Sequence, residues 1–351
     1  MQTKTQLEII NPRFSNAIQQ IPQSIPPIWF MRQAGRYHSH YRKLKEKYSF
    51  LELCKKPELA AEVALGPVKE FGFDVSILFS DLLFPLEALG MNLEYAPGPK
   101  LSFNIQNINQ INNLLPIEEA ISKLEFQKSA LQLTREILPK DVSLIGFIGG
   151  PWTLFTYAAE GKHDGNLKFA KSHPILVEAF YEKIIPLLKK NITLQMEGGA
   201  EIVMIFDTAA GELDFHSFHK YVIGPLKLLC ENYPGRIGYY AKGTTEIQMS
   251  LLKSVNGLSG FGIDHRFDLS SMLLDQNRYG FLQGNFDQSL LFMEREDLTK
   301  ALDIYLKPIL SLSKLERKGW VAGLGHGILQ FTPEDSVKLI IDTIRERCDV
   351  N

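Results

Sequence analysis

The stretch Ile28–Tyr37 reads IWFMRQAGRY. A run of four apolar residues stops at Arg32, and a second arginine, Arg36, follows just past Gly35. A strand that is apolar throughout has both faces covered, as in a parallel sheet roofed by helices. A charged group directly at its carboxyl end marks the side of such a sheet on which ligands bind.

The pattern recurs. Short apolar runs occupy 75–79, 142–148, 202–206, 236–240, 259–263, 280–284 and 319–324. Between them lie longer, charge-dotted segments with helical spacing at 57–71, 117–137, 166–197, 213–231 and 334–348. The last is preceded by a capping Thr332 and Pro333, with acids in its first turn. Eight strands alternating with helices predict an α/β fold, either an open doubly wound sheet or a (β/α)8 barrel. The strand ends favour the barrel. The runs lead into Arg32, Ser80-Asp81, Gly149-Gly150-Pro151-Trp152, Asp207-Thr208, Asp264-His265-Arg266, Asn285 and Gly325-His326-Gly327. Polar groups at the carboxyl ends of so many strands converge on one mouth only if the sheet closes on itself. With no linker and no repeat, residues 1–351 are expected to form one domain.

Hydrophobic residues make up 45% and charged residues 22% of the 351, the balance of a soluble globular protein. A net charge of −2 argues against bulk binding to nucleic acid or a membrane surface, so any basic site is a local cluster. The three cysteines, Cys54, Cys230 and Cys348, form no Cys-x-x-Cys pair and have no histidine two residues away. That argues against a structural zinc site or a disulfide framework, and fits a reducing cytoplasm. The N-terminus MQTKTQLEII lacks the basic and hydrophobic segments of a signal peptide, and no stretch approaches the roughly 18 apolar residues of a membrane span. A cytoplasmic protein is expected.

Arg32 and Arg36 are four apart, so a helical turn brings both guanidiniums to one side, where each can grip a carboxylate with two hydrogen bonds. The same spacing also describes a solvated helix face; the position straight after a buried strand favours an anion clamp. Gly35 lets the backbone bend or a ligand approach. In DVSILFSDLLFPLEALGM, Asp81 stands inside an apolar run. A carboxylate there needs a cation or a donor. It is either the cap of a strand-to-helix junction or a functional acid, and a functional acid predicts that no arginine fully neutralises it in the empty protein. In GFIGGPWTLFTYAAEG the glycines permit a tight turn that is neither a Walker loop nor a dinucleotide fingerprint, and Tyr157 offers a phenol near the mouth. His326, between two glycines, is either structural or exposed enough to bind a ligand or move a proton.

With these segments in place, the sequence closely resembles the uroporphyrinogen decarboxylase family of haem biosynthesis. MRQAGRY at 31–37 is that family's signature. FSD with PLEALGM, GFIGGPWTL with Tyr157, and LGHGI match its other blocks in order, over about Pro27 to Pro333. The resemblance implies a distorted (β/α)8 barrel, a homodimer, and a carboxy-lyase that needs neither cofactor nor metal. Its substrate would be a tetrapyrrole, uroporphyrinogen III, whose four acetate arms lose CO2 to give coproporphyrinogen III. The resemblance further implies that Arg32 and Arg36 bind acetate or propionate carboxylates, with the backbone of Gln33, Ala34 and Gly35 lining the same loop. Asp81 would hold the pyrrole N–H groups, Tyr157 and Thr208 would contact substrate, and His326 would take a carboxylate on the far side. Asp81 and Arg32 are the expected catalytic pair, and the proton would come from Arg32, from a water it holds, or from His326.

The chain departs from the family pattern at His38-Ser39-His40, Lys45, His265 and Gln330, none of which has an implied catalytic role. Two rivals are a methyltransferase of the related barrel group and a protein that binds tetrapyrroles or polyanions without reacting them. The first would need a zinc-activated thiolate with a His-x-Cys pair, which this sequence lacks.

Overall fold

Ile202–Phe206 is buried at every residue and paired in parallel on both sides, the setting of a central strand. The computed structural model describes residues 8–95, 98–163 and 165–349; the reading of MQTKTQL at the N-terminus lies outside them. Among the described residues the strands are β1 (Val75–Ile77), β2 (Leu93–Tyr95), β3 (Pro99–Leu101), β4 (Ser143–Gly149), β5 (Ile202–Phe206), β6 (Ile237–Tyr240), β7 (Leu258–Gly262), β8 (Phe281–Phe286) and β9 (Trp320–Leu324). Seven of them form one parallel sheet in the order β1-β4-β5-β6-β7-β8-β9, and β2 and β3 make a separate antiparallel hairpin.

The expected first strand, 28–31, is corrected to a single parallel bridge between Ile28 and Ala322. Pro26 and Pro27 have no N–H to extend a ladder backwards. The Ile28 N–H goes to Asp74 Oδ2 at 2.9 Å, and Arg32 ends the run in left-handed backbone with φ 61°. The segment still closes the ring. Ala322 N–H donates to Pro27 O at 2.9 Å on one side, and Asp74 N–H donates to Ile28 O at 3.0 Å on the other. The sheet therefore curls round to a (β/α)8-type barrel whose eighth member is only a stitch.

Side chains alternating along the strands, including Val75, Ile145, Met204 and Val321, fill the interior together with Trp29 from the closing segment. The helix Pro12–Ile18 plugs the amino end. Its Asn11 cap accepts from Phe14 N–H at 2.9 Å, and the Phe14 ring lies 5.8 Å from that of Phe281. Burial of that one ring stabilises the plug by roughly 1.5–3 kcal/mol. Met31, Leu82, Phe147, Phe206 and Tyr240 complete the same cluster at the carboxyl end.

The expected helices at 57–71 and 334–348 form as Pro57–Phe71 and Glu334–Asp349. The other three expected helices are broken. Residues 117–137 divide where Lys123 and Leu124 donate to Ala120 and Ile121, three residues back, and 166–197 divides at His173, before Pro174. A widened turn at His219–Ile223 interrupts the segment 213–231. No helix among the described residues is long and apolar enough to cross a membrane.

Candidate active site at the barrel mouth

The loop after the closing bridge is braced from beneath by Gln33. Its side chain accepts from Phe30 N–H at 3.1 Å and donates to Val75 O at 3.0 Å, tying the loop to β1. Its backbone is occupied too, with N–H on Phe30 O and C=O accepting from the Tyr37 hydroxyl. Gln33 therefore turns inward, leaving the partly buried Ala34 and Gly35 as the loop backbone nearer the mouth. The turn puts Arg32 in its left-handed conformation, a strain of about 1–2 kcal/mol for a residue with a Cβ.

Arg32 is exposed to solvent at the mouth; the protein around it lowers its pKa first and Arg36 second, against the pull of Tyr157, Asp81 and Tyr240. It remains a cation. Among the described residues neither Arg32 nor Arg36 has a carboxylate ion-pair partner.

Asp81 follows β1 and is partly accessible. Its Oδ1 accepts the Leu83 N–H at 2.8 Å within the turn before the helix Phe84–Leu86, whose cap position is Leu83 with no side-chain cap bond, so Asp81 is not that helix's N-cap. One such bond leaves most of its acceptor capacity open. Among the described residues it forms no ion pair, as a functional acid requires. Burial pushes its pKa up; Leu83 N–H, the Tyr95 phenol and Arg32 push it down, and Glu87 adds a rise.

Tyr157 lies on the helix Pro151–Glu160, and burial and then Asp81 raise its pKa, placing the phenol within the field of that carboxylate. The helix is aimed by Asp207, the buried acid that ends β5. Asp207 Oδ1 accepts Thr153 N–H at 2.9 Å and Thr153 Oγ1–H at 2.7 Å, and Oδ2 accepts from Tyr239 at 3.3 Å. Gly150 has to be glycine, because a Cβ there would overlap the Asp207 carboxylate. Thr208 is partly exposed at the same strand end.

His326 completes the far wall. Its Nδ1 accepts the Gly327 N–H at 2.7 Å, which places the ring hydrogen on Nε2. Burial, then Arg32 and Lys242, pull its pKa down to about 4, so the ring is neutral at pH 7. Both flanking glycines allow close approach. A Cβ at Gly327 would stand 2.5 Å from Arg32 Cδ, and one at Gly325 would stand 2.5 Å from His265 N.

Arg32, Arg36, Asp81, Tyr157 and His326 are thus brought to one mouth; Gln33 serves the loop from below. Three residues escaped the sequence reading. Tyr240 packs its ring 6.0 Å from that of His326, Lys242 stands within the field of His326, and Tyr95 faces Asp81. Tyr240 and Lys242 sit at or just past the end of β6, the same signal that marked the other strand ends. Tyr95 gave no such signal, because its hairpin was not foreseen. At the departures, His38 is buried against Phe71, rings 5.2 Å apart, and Ser39 N–H donates to Glu334 Oε1 at 2.5 Å. His265 Nε2 is 3.9 Å from Asp287 Oδ2. A groove of about 420 Å³ lined by His265, Asn285, Asp287 and Tyr305 contains none of Arg32, Asp81, Tyr157 or His326.

All three cysteines are buried, and burial raises each thiol, Cys230 to about 12 and Cys348 to about 11. Among the described residues, no three His, Cys, Asp or Glu side chains are grouped to hold a metal ion.

Parallel strands whose carboxyl ends gather two arginines and a carboxylate with no ion-pair partner among the described residues, beside a neutral histidine, define a protein of the (β/α)8 type with its candidate site at the barrel mouth. The chain belongs to the uroporphyrinogen decarboxylase (URO-D) family, whose model matches residues 10–347. It is 34% identical over 347 residues to the uroporphyrinogen decarboxylase of Chloroherpeton thalassium, covering 96% of this chain and 97% of the relative. Its identity to the same enzyme of Actinobacillus pleuropneumoniae is 33% over 357 residues, covering 97% and 98%. A solved methyltransferase from Methanosarcina mazei is similar in fold, with TM-score 0.79 at 18% identity, covering 96% and 98%.

Proposed function

We propose that this chain is a carboxy-lyase that removes CO2 from the four acetate arms of uroporphyrinogen III and yields coproporphyrinogen III. The observation that carries the reading is the Asp81 carboxylate, held in a water-poor mouth without an ion pair among the described residues and facing Arg32 and Tyr157.

Direct loss of CO2 from a pyrrole acetate would strand an electron pair on an unactivated methylene carbon. Protonation of the adjacent ring carbon makes the pyrrole cationic. The C–CO2 bond then breaks, its electron pair enters the ring system, a proton adds to the methylene to form methyl, and the ring carbon returns its proton. Each turnover exchanges CO2 for H⁺, and the substrate's own ring is the electron sink. Asp81 stabilises the cationic ring through its nitrogens. A carboxylate about 4 Å away is worth roughly 4 kcal/mol at an effective dielectric of 20, which is about a thousandfold in rate. It is fixed in place beforehand, so little reorganises during reaction.

Arg32 and Arg36 grip the side-chain carboxylates, beside the backbone of Ala34 and Gly35, and Tyr157 and Thr208 contact the macrocycle. His326 is neutral and donates Nε2–H to a carboxylate rather than serving as the acid. Arg32 organises the protonation: since a guanidinium is itself a poor acid, it holds a water that relays a proton taken up from solvent, and its own charge is kept. The reading extends to a cytoplasmic homodimer of one-domain chains without a nucleic-acid or membrane partner; the net charge of −2 supports the last point.

The test is CO2 release from anaerobic uroporphyrinogen III by purified protein with no added cofactor, with products separated by carboxylate number. Stepwise appearance of seven to four carboxylates is the expected outcome. Tight binding without CO2 would leave a carrier and sink the enzyme.

A further inference from the structure

The hairpin β2–β3 pairs Tyr95 with Pro99 and brings that phenol within the field of Asp81. The Tyr95 ring packs edge-on against Phe50, centroids 4.6 Å apart, which fixes its direction. Its hydroxyl is buried and completes no hydrogen bond among the described residues. A buried, unpartnered phenol is a costly arrangement unless a partner stands close by. The neighbour is Asp81: the phenol and that carboxylate act on each other electrostatically, although no hydrogen bond between them is formed. Leu83 N–H holds Oδ1 of Asp81, which leaves Oδ2 open as an acceptor.

We propose that Tyr95 is a positioning residue whose hydroxyl donates to Asp81, keeping that carboxylate ionised and aimed at the pyrrole nitrogens. The bond closes when substrate fills the mouth, as catalytic hydrogen bonds commonly tighten in the bound state. Tyr95 opposes the effect of burial, which favours the protonated acid. It acts from behind and touches no reacting atom. The proposal rests on Asp81 being the group that steadies the cationic ring.

The experiment is the pH profile of kcat and KM for Tyr95→Phe, which keeps the ring and deletes the donor, beside Asp81→Asn. The acid limb of kcat is expected to move to higher pH by about one unit in Tyr95→Phe, with KM within about twofold and kcat recovering above the limb. A protein carrying 3-fluorotyrosine at position 95, a stronger donor, should move the limb the other way. A Tyr95→Phe limb that coincides with the parent's, or a uniform loss of kcat at every pH, overturns the proposal. If Tyr95→Phe does not fold, the fluorinated protein decides alone, since an unmoved limb there also overturns it. Near-parental turnover in Asp81→Asn would instead overturn the underlying reading of Asp81, so the two failures are distinguishable.

Discussion

Asp81 and Asp207 stand just past two strands of one sheet, and burial raises the pKa of both. Their surroundings differ in how many donors they face. Asp207 receives Thr153 N–H, Thr153 Oγ1–H and the Tyr239 hydroxyl, and through them it sets the first turn of the Pro151–Glu160 helix. Among the described residues Asp81 receives one backbone N–H, with a phenol beside it that forms no bond and Arg32 in its field but not in an ion pair. A buried carboxylate whose acceptor sites are filled by its own fold is structural; a partly accessible one at the mouth, with sites left open, is free to take a ligand's donors. That difference separates two acids which look alike in sequence as Ser80-Asp81 and Asp207-Thr208.

The contrast breaks most visibly at Asp81. Asp81→Asn should lower kcat by roughly a thousandfold with KM little changed, while thermal stability holds or rises, because the fold no longer confines a charge. Turnover within about tenfold of the parent would refute the role.

At Asp207 the expected effect lies in stability. Burial, opposed by Thr153 and Tyr239, raises its pKa to about 6. The unfolded chain releases that proton near pH 4. Between about 4 and about 6 the folded protein therefore binds a proton that the unfolded chain has lost. Stability from this group is full below the window and declines as pH rises through it. Asp207→Asn does not titrate, so the parent's advantage over it should shrink by roughly 3 kcal/mol across the window. Chemical denaturation at pH 4, 5, 6 and 7 measures this, and a constant difference would contradict it.

A smaller effect sharpens the placement of Arg32. Gly327→Ala puts a methyl group 2.5 Å from Arg32 Cδ. Displacement of the guanidinium should cost roughly tenfold to a hundredfold in kcat with little change in melting temperature; unaltered turnover would show that Arg32 tolerates a shift. The smallest effect belongs to Arg36→Ala. It should raise KM by roughly tenfold, about 1.4 kcal/mol, at nearly constant kcat, because a carboxylate that persists through the reaction is bound equally before and during it. A kcat loss at constant KM would move Arg36 into the chemical step.

Local pattern made much of this molecule legible. Fully apolar runs mark strands buried on both faces, and the polar residues that end them mark the mouth, which makes Arg32, Asp81 and His326 legible in the sequence. Tyr157 lies on the helix after β4, and its role is legible only through the family resemblance. The sheet's closure at Ile28 was legible only as a run of apolar residues. That the run is a bridge rather than a strand depends on Asp74, 46 residues away, taking the Ile28 N–H. The inward turn of Gln33 depends likewise on Val75 O, and the protonation state of His326 on its burial beside Arg32 and Lys242.

By itself, then, the sequence determined the strand-and-helix alternation, the family signature and the residue types at the mouth, because periodicity and strand-end chemistry are local properties of the chain. The tertiary structure alone decided which of two similar acids is filled and which is open, and that a tyrosine from an unforeseen hairpin stands behind the open one. Donors reach a carboxylate through space, and residues adjacent in the fold leave no mark on each other's place in the sequence.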